Sequence, residues 1–219
     1  MSLARKITCA INNNYKKEYK DLYLPEKKPS IIDVPSMNFI MIDGKGDPSH
    51  EEYHLAIGAL YALTFTVKMS KMSGKQPQGY FEYVVPPLEG LWWISGGAFN
   101  FEERDNWLWT SMIRQPEFVT PEVYSWACDE CRRKKPDVDS SRARFETITE
   151  GLCVQIMHIG PYATEPESVS LMRAFMADNN LIDETGSERK HHEIYLSDPR
   201  KTAPDNLKTV LRHPAAYRL

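Results

Sequence analysis

No stretch of this 219-residue chain approaches the ~18 consecutive apolar residues that a membrane-spanning helix needs, and the N-terminal MSLARKITCAINNNYKKEYK lacks the apolar core of a signal peptide. The sequence therefore predicts a cytoplasmic protein with no membrane partner. It is also short of charge imbalance. Lys+Arg 27 against Asp+Glu 30 gives a formal net charge of -3, with a pI near 6.1. Nothing marks the whole surface for a phosphate backbone, and no nucleic-acid partner is expected. Four cysteines, unclustered apart from Cys128 and Cys131, make no disulfide framework. Cys128-Asp-Glu-Cys131 has no second cysteine pair and falls inside a predicted helix, so it reads as a helix face and not as a metal or redox motif. Gly44-Lys45-Gly46 lacks the remaining spacing of a phosphate loop. Residue order alone supports no Ser-His-Asp or Cys-His arrangement.

The chain is long enough to bury a full core in one domain or in two small fused ones. Residues 1–35 are polar and end in PEKKPSIIDVPS, which predicts a lead-in segment with little regular structure. From 38, NFIMID reads as a strand closed by GKGDPS. In HEEYHLAIGALYALTFTVKMSK, Tyr53, Ile57, Leu60, Tyr61, Thr64 and Val67 recur at helical spacing behind an acidic first turn. YFEYVVPP reads as a strand ended by prolines, LWWIS as a further short strand before a GG turn, and NWLWTSMI as a strand with Trp107, Trp109, Ser111 and Ile113 on one face. TPEVYSWACDECRRKK, about 120–135, is a connecting helix with a Thr cap and Pro at its first position, and its basic end complements the helix dipole. RARFETITEGLCVQIMHIG predicts two strands around Glu150-Gly151. TEPESVSLMRAFMADN is a second helix, HHEIYLSDP a strand, and LKTVLRH a last one.

Those elements repeat. Strand, Gly/Pro turn, long helix, strand, strand runs over 38–114 and again over 152–213. The fold predicted is α+β: duplicated strand-helix-strand-strand units form a pseudo-twofold antiparallel sheet, with helices on one face and a ligand groove between the halves. Glu193 lies in an aromatic and aliphatic run where Glu is depleted. Treating YFEYVVPP and HHEIYLSDP as equivalent third elements puts Glu82 at the matching position. Alternation sets His191 and Tyr195 on the face of Glu193, and Tyr80 and Val84 on that of Glu82. His191 and His192 then point to opposite faces, so they do not converge on a metal. His158 either lines the groove or caps the GPY turn. Four of the five tryptophans lie between 92 and 109.

VQIMHIGPY followed by a helix, and EIYLSDP with its Glu-aliphatic-strand-Pro ending, resemble the GyrI-like small-molecule-binding family, which shares its fold with the drug-sensing domains of some bacterial transcription activators. The resemblance spans roughly 36–214. It implies a ligand-contacting role for Glu193 and no cofactor. LEGLWWISGGAFNFEERDNWLW resembles a stand-alone subgroup without the sensors' DNA-binding domain. Some members are implied to hydrolyse the strained cyclopropane of planar, DNA-alkylating compounds inside an aromatic cage, a xenobiotic detoxification, and others only to bind. On that reading Glu193 is the water-orienting base and Tyr195 the proton-donor candidate. Tyr61, Tyr80, Glu82, Trp92, Trp107, Trp109 and His158 are ligand-binding candidates, with Trp92 chosen over Trp93. The expected partners are planar aromatic or cationic small molecules, and the alternative function is their sequestration without chemistry. A carboxylate among phenols and indoles is desolvated, which strengthens it as a base or as a counter-charge.

Overall fold

Strands whose residues alternate between two apolar faces can be covered on both sides, and this chain covers each face with different elements. The computed structural model describes residues 13–95 and 104–218. In chain order these form β1 (Asn13–Asn14), α1 (Tyr15–Glu18), α2 (Lys20–Tyr23), β2 (Ser30–Val34), β3 (Met37–Lys45), α3 (Glu51–Lys68), β4 (Tyr83–Val84), β5 (Leu88–Ile94) and β6 (Trp107–Arg114). There follow α4 (Pro121–Lys134), β7 (Arg144–Ile148), β8 (Gly151–Ile159), α5 (Glu165–Asp178), β9 (Leu181–Asp183), β10 (His191–Tyr195) and β11 (Lys208–Tyr217). The GG turn expected after LWWIS lies outside the described residues. No helix among them is long and apolar enough to cross a membrane.

The main sheet runs β2-β8-β11-β10-β5-β6-β3-β7, with β9 added to β11, and every pair in that path is antiparallel. The order reads alike from either end. Three strands of one repeat, β8-β11-β10, meet three of the other, β3-β6-β5, at the β10–β5 seam, and β2 and β7 extend the two outer edges. The duplicated α+β architecture expected from the sequence is present. Its third element is not. The partner of β10 is β5, not YFEYVVPP, of which only Tyr83–Val84 forms a strand, paired with β1 in a separate two-stranded sheet. Pro86 and Pro87 end that run before it can enter the main ladder.

Helices α3 and α5 each cover one half of one face. Tyr53, Ala56, Leu60 and Leu63 of α3 pack on Ile40, Ile42, Trp92, Trp109 and Ile113. Val169, Met172 and Met176 of α5 pack on Val154, Ile156 and Leu211. These are separate apolar clusters, and the seam runs between them. Helix α4 starts as the sequence predicts, Thr120 Oγ1 accepting from the Val123 N–H at 3.3 Å with Pro121 in the first turn. Cys131 is buried and Cys128 half-buried, both free, and the basic end of the helix pairs with Asp129 and Glu130.

The opposite face corrects the lead-in reading for residues 13–35, the described part of that segment. Tyr15, Leu22 and Tyr23 are buried against Phe39, Met41, Leu91, Met112 and Ile194, and β2 pairs with β8 from Ser30 to Val34. Each such side chain stabilises the fold by roughly 1.5–3 kcal/mol. The Lys and Asn neighbours of the tyrosines make the segment polar on average while the rings turn inward.

Beneath this segment lies a buried ionic network. His192, fully buried, bonds Glu89 and Glu150, each at 3.0 Å. Arg212 reaches Glu150 Oε2 at 2.9 Å and the Leu22 carbonyl at 2.9 Å, and Tyr23 donates to Glu89 at 3.2 Å. Two carboxylates face two cations, so the charges cancel. Burial pulls the His192 imidazolium down, but Glu150 and Glu89 outweigh it and raise it to about 9. A cation whose folded pKa lies above the unfolded ~6.5 stabilises fully below that value and loses the contribution as pH rises through about 9. In urea titrations His192→Gln should cost about 3–5 kcal/mol near pH 6, because the carboxylates lose a buried partner. The difference from the unsubstituted protein should shrink towards pH 10; a pH-independent difference would contradict the charged state.

Candidate functional site

On the five-residue strand β10, His191, Glu193 and Tyr195 point towards the helix-bearing face, while His192 and Ile194 point to the other. Glu193 pairs across the seam with Gly90 of β5 and on its other side with Leu211 of β11. Gly90 is needed there: a Cβ would stand 2.7 Å from Trp92 Nε1 and 3.0 Å from the Tyr195 hydroxyl. In the space that it leaves, Trp92 Nε1 donates to the Tyr195 hydroxyl at 2.9 Å, and that hydroxyl donates to Glu193 Oε2 at 2.8 Å.

The other carboxylate oxygen heads a second chain. Glu193 Oε1 lies 3.0 Å from His191 Nε2, His191 Nδ1 lies 2.7 Å from His213 Nε2, and His213 Nδ1 lies 3.0 Å from Asp183 Oδ2. Glu193 is only 8% exposed, and both histidines are more deeply buried. From the first turn of α5, Glu165, 2% exposed, comes alongside. Burial first, and then the neighbouring Glu193, push its carboxyl well above the usual carboxylate range. Its Oε1 has no hydrogen-bond partner among the described residues. Two carboxyl groups so placed cannot both ionise cheaply, so Glu165 keeps its proton beside the Glu193 carboxylate. Such a pair can take a proton from one group and deliver one to another.

Phenols and indoles surround the pair. Burial and Glu193 hold the Tyr195 phenol well above its ordinary value, and burial, Glu165 and Glu193 raise Tyr162 to about 12. Both remain neutral donors at physiological pH. Tyr162 meets Tyr195 edge-on at 6.0 Å, Tyr53 lies 5.7 Å from Trp92, and Trp107 meets Trp92 edge-on at 5.4 Å. One ligand atom each of Glu165, His191 and Glu193 falls within 4.8 Å of the others. A cation there would have to displace the His191–Glu193 hydrogen bond, and we assign these residues no metal-binding role.

The structure thus brings Glu193, Tyr195, Trp92 and Trp107 together. Trp92 shares the face of Glu193, and Trp93 points away. Trp109 is fully buried under Tyr53, with its ring where a Cβ on Gly44 would be, so it supports the cage from below. Tyr61 is half-buried on α3, within electrostatic range of Arg200 and Asp198. Three candidates lie apart from this cluster. Glu82 is not the counterpart of Glu193: it lies in the connection between α3 and β4 and pairs with Lys71 and Lys68 at the surface, while the residue across from Glu193 is a glycine. Tyr80 donates to the Lys68 carbonyl at 2.8 Å and packs on Phe118, in the other core. His158 is spent on the GPY turn, its Nδ1 2.9 Å from Ser168 Oγ and its Nε2 3.2 Å from the Pro161 carbonyl.

Sequence reasoning missed Glu165, His213, Tyr53 and Tyr162 as site residues. An acidic residue in a first helical turn is the ordinary complement of the helix dipole, which masked Glu165. His191 was placed on the correct face without a role.

Fold and site together define a small-molecule-binding α+β domain with a polar, aromatic-walled seam between duplicated halves. The profile of the GyrI-like small molecule binding domain matches residues 27–215, and the chain belongs to that family. Three crystal structures from Listeria innocua are similar. One, of an uncharacterized conserved protein, is 53% identical, covers 93% of this chain and 100% of its own, and superposes with a TM-score of 0.90. Two are described as hydrolases. One is 51% identical over 93% of this chain and 100% of its own, with a TM-score of 0.87. The other is 53% identical over 94% of this chain and 100% of its own, with a TM-score of 0.88. A search of curated proteins found no match.

The raised Glu165 carboxyl has a stability consequence. A carboxyl whose folded pKa exceeds its unfolded value binds more protons in the folded state, so the folded state loses ground as pH rises from ~4.3 through the raised value. Glu165→Gln removes this dependence. In urea titrations the variant should match or exceed the unsubstituted protein at neutral pH, and the gap should close towards pH 4. Destabilisation that grows with pH would show that Glu165 is ionised.

Proposed function

We propose that this protein is a detoxifying hydrolase that adds water to the activated cyclopropane of planar, DNA-alkylating compounds held in the aromatic seam. The observation that carries this reading is the buried, closely placed pair of Glu193 and Glu165 beneath a wall of indoles and phenols. The hydrolase descriptions of the Listeria innocua relatives support it at the level of reaction class.

In the proposed reaction, the water oxygen bonds to the least hindered ring carbon while Glu193 takes its proton. The ring C–C bond breaks, and its electron pair passes through the conjugated system to the carbonyl oxygen, giving a phenolate. Glu165, which already carries a proton, is a better source than Tyr195 for converting the phenolate to the phenol. Tyr195 spends its single O–H on Glu193 and so holds that carboxylate in place. Return of the proton from Glu193 to Glu165 restores the starting state, so one water is consumed and no net proton is exchanged. Trp92, Trp107, Tyr53 and Tyr162 supply faces for stacking, with Tyr61 at the rim.

A second reading, sequestration of cationic drugs, draws on the buried negative charge of Glu193 among rings that attract cations. Glu193→Gln separates the two. For a hydrolase, turnover measured as product gaining the mass of water should fall roughly 10²–10⁴-fold with affinity largely retained. For a sequestering protein, cationic ligands should bind more weakly while neutral planar ones bind as before. Unchanged turnover and affinities would remove Glu193 from the site.

The cage itself is tested by fluorescence. A planar ligand should quench intrinsic tryptophan emission, and Trp92→Ala should weaken its binding by roughly 1–3 kcal/mol, as for a buried aromatic anchor. Tight binding unaffected by both Trp92→Ala and Trp107→Ala would place the ligand elsewhere.

A further inference from the structure

Two carboxyl groups share the seam, yet only one of them has a chain of imidazoles behind it. The chain holds three hydrogen bonds in series: Asp183 Oδ2 to His213 Nδ1 at 3.0 Å, His213 Nε2 to His191 Nδ1 at 2.7 Å, and His191 Nε2 to Glu193 Oε1 at 3.0 Å. Each bond requires one proton between its heavy atoms, three in all. Two neutral imidazoles supply two, so the chain carries one proton more. Removing it would set two lone pairs against each other at about 3 Å in a buried site, which leaves one of the three bonds unmade.

We propose that Asp183, His213 and His191 form a relay that holds a single imidazolium against Glu193, and so fixes Glu193 as the ionised and Glu165 as the protonated member of the carboxyl pair. The three are positioning residues, acting through Glu193. The inference deepens the hydrolase reading, because it assigns base and acid within the same site, but the proton count stands without it.

The surroundings favour this placement. Asp183 ends β9 and is held by Arg173 at 3.2 Å and by the Thr185 N–H at 3.0 Å. Burial pushes its carboxyl up, but His213, Thr185 and their hydrogen bonds bring it well below the usual range, so Asp183 remains an acceptor. Burial, with His191 next to it, lowers His213 against the pull of Asp183. The groups facing Glu193 are Glu165 from α5, Tyr162 from the turn before it, Tyr53 from α3, and Tyr195 and His191 from its own strand. The three tyrosines are neutral donors, so the imidazolium is the countercharge. Among the described residues His191 bonds Glu193 directly, whereas burial and the neighbouring Glu193 keep the proton on Glu165.

Nitrogen NMR of the histidine rings tests this directly. At neutral pH one of the His191 and His213 rings should be doubly protonated and the other neutral, with a hydrogen bond between them. Asp183→Asn should neutralise the cationic ring at the same pH. The acid limb of turnover should then move to higher pH, by about one unit for a tenfold loss of activity at a fixed acid pH. Two neutral rings in the unsubstituted protein would overturn the proposal, as would an Asp183→Asn variant that folds normally with both ring states and the pH profile unchanged. If Asp183→Asn does not fold, the ring states of the unsubstituted protein decide alone. Failure of the hydrolase reading is separable, since it would appear as turnover indifferent to Glu193→Gln with the imidazolium still in place.

Discussion

The pairing of β10 with β5, in a register that sets Glu193 across from Gly90, governs the rest of the site. It joins the two repeats, and it puts the last residue that one would bury in a sheet at the line where neither α3 nor α5 supplies apolar cover. A glycine opposite gives the carboxylate and the Trp92–Tyr195 contact room. With any side chain at position 90 the indole N–H could not reach the tyrosine, and the carboxylate would lose the donor that orients it.

Burying charge on both faces of one short strand requires a partner for every group. Residues 191–195 meet this requirement twice. On one face, His192 and Arg212 together neutralise Glu89 and Glu150, and Arg212 ties the N-terminal segment to the sheet through the Leu22 carbonyl. On the other, His191 and Tyr195 grip the two oxygens of Glu193. The first network is closed and charge-balanced, which suits stability. The second leaves Glu165 with an unsatisfied oxygen and a proton to spare, which suits chemistry.

The aromatic residues divide along the same line. Trp109 and Tyr53 meet edge-to-face at 5.0 Å and close the floor, while Trp92, Trp107, Tyr162 and Tyr195 stand around the carboxyl pair. The cluster of tryptophans visible between 92 and 109 is therefore part core and part wall. Strand alternation sorts Trp92 from Trp93, but it places Trp107 and Trp109 on one face without saying which of them a helix will bury.

Local pattern determined much of the molecule. Helical spacing fixed α3, α4 and α5, strand alternation fixed the faces of β6 and β10, and the repeat of strand, helix, strand, strand implied a pseudo-twofold sheet. Glu193 was legible because a glutamate in an apolar strand has a cost that local sequence can register. Glu82 was misjudged by the same rule, since YFEYVVPP has strand composition but the prolines and the β1–β4 pairing keep it out of the main sheet. The polar composition of residues 1–35 hides the burial of Tyr15 and Tyr23, because burial belongs to single side chains and not to the average of their neighbours. Glu165, His213 and Asp183 were beyond reach of the sequence. Each looks ordinary on its own element, and they act on Glu193 only because helix packing and strand register carry residues 10 to 28 positions apart into hydrogen-bonding range, a matter of long-range contact that no local pattern encodes.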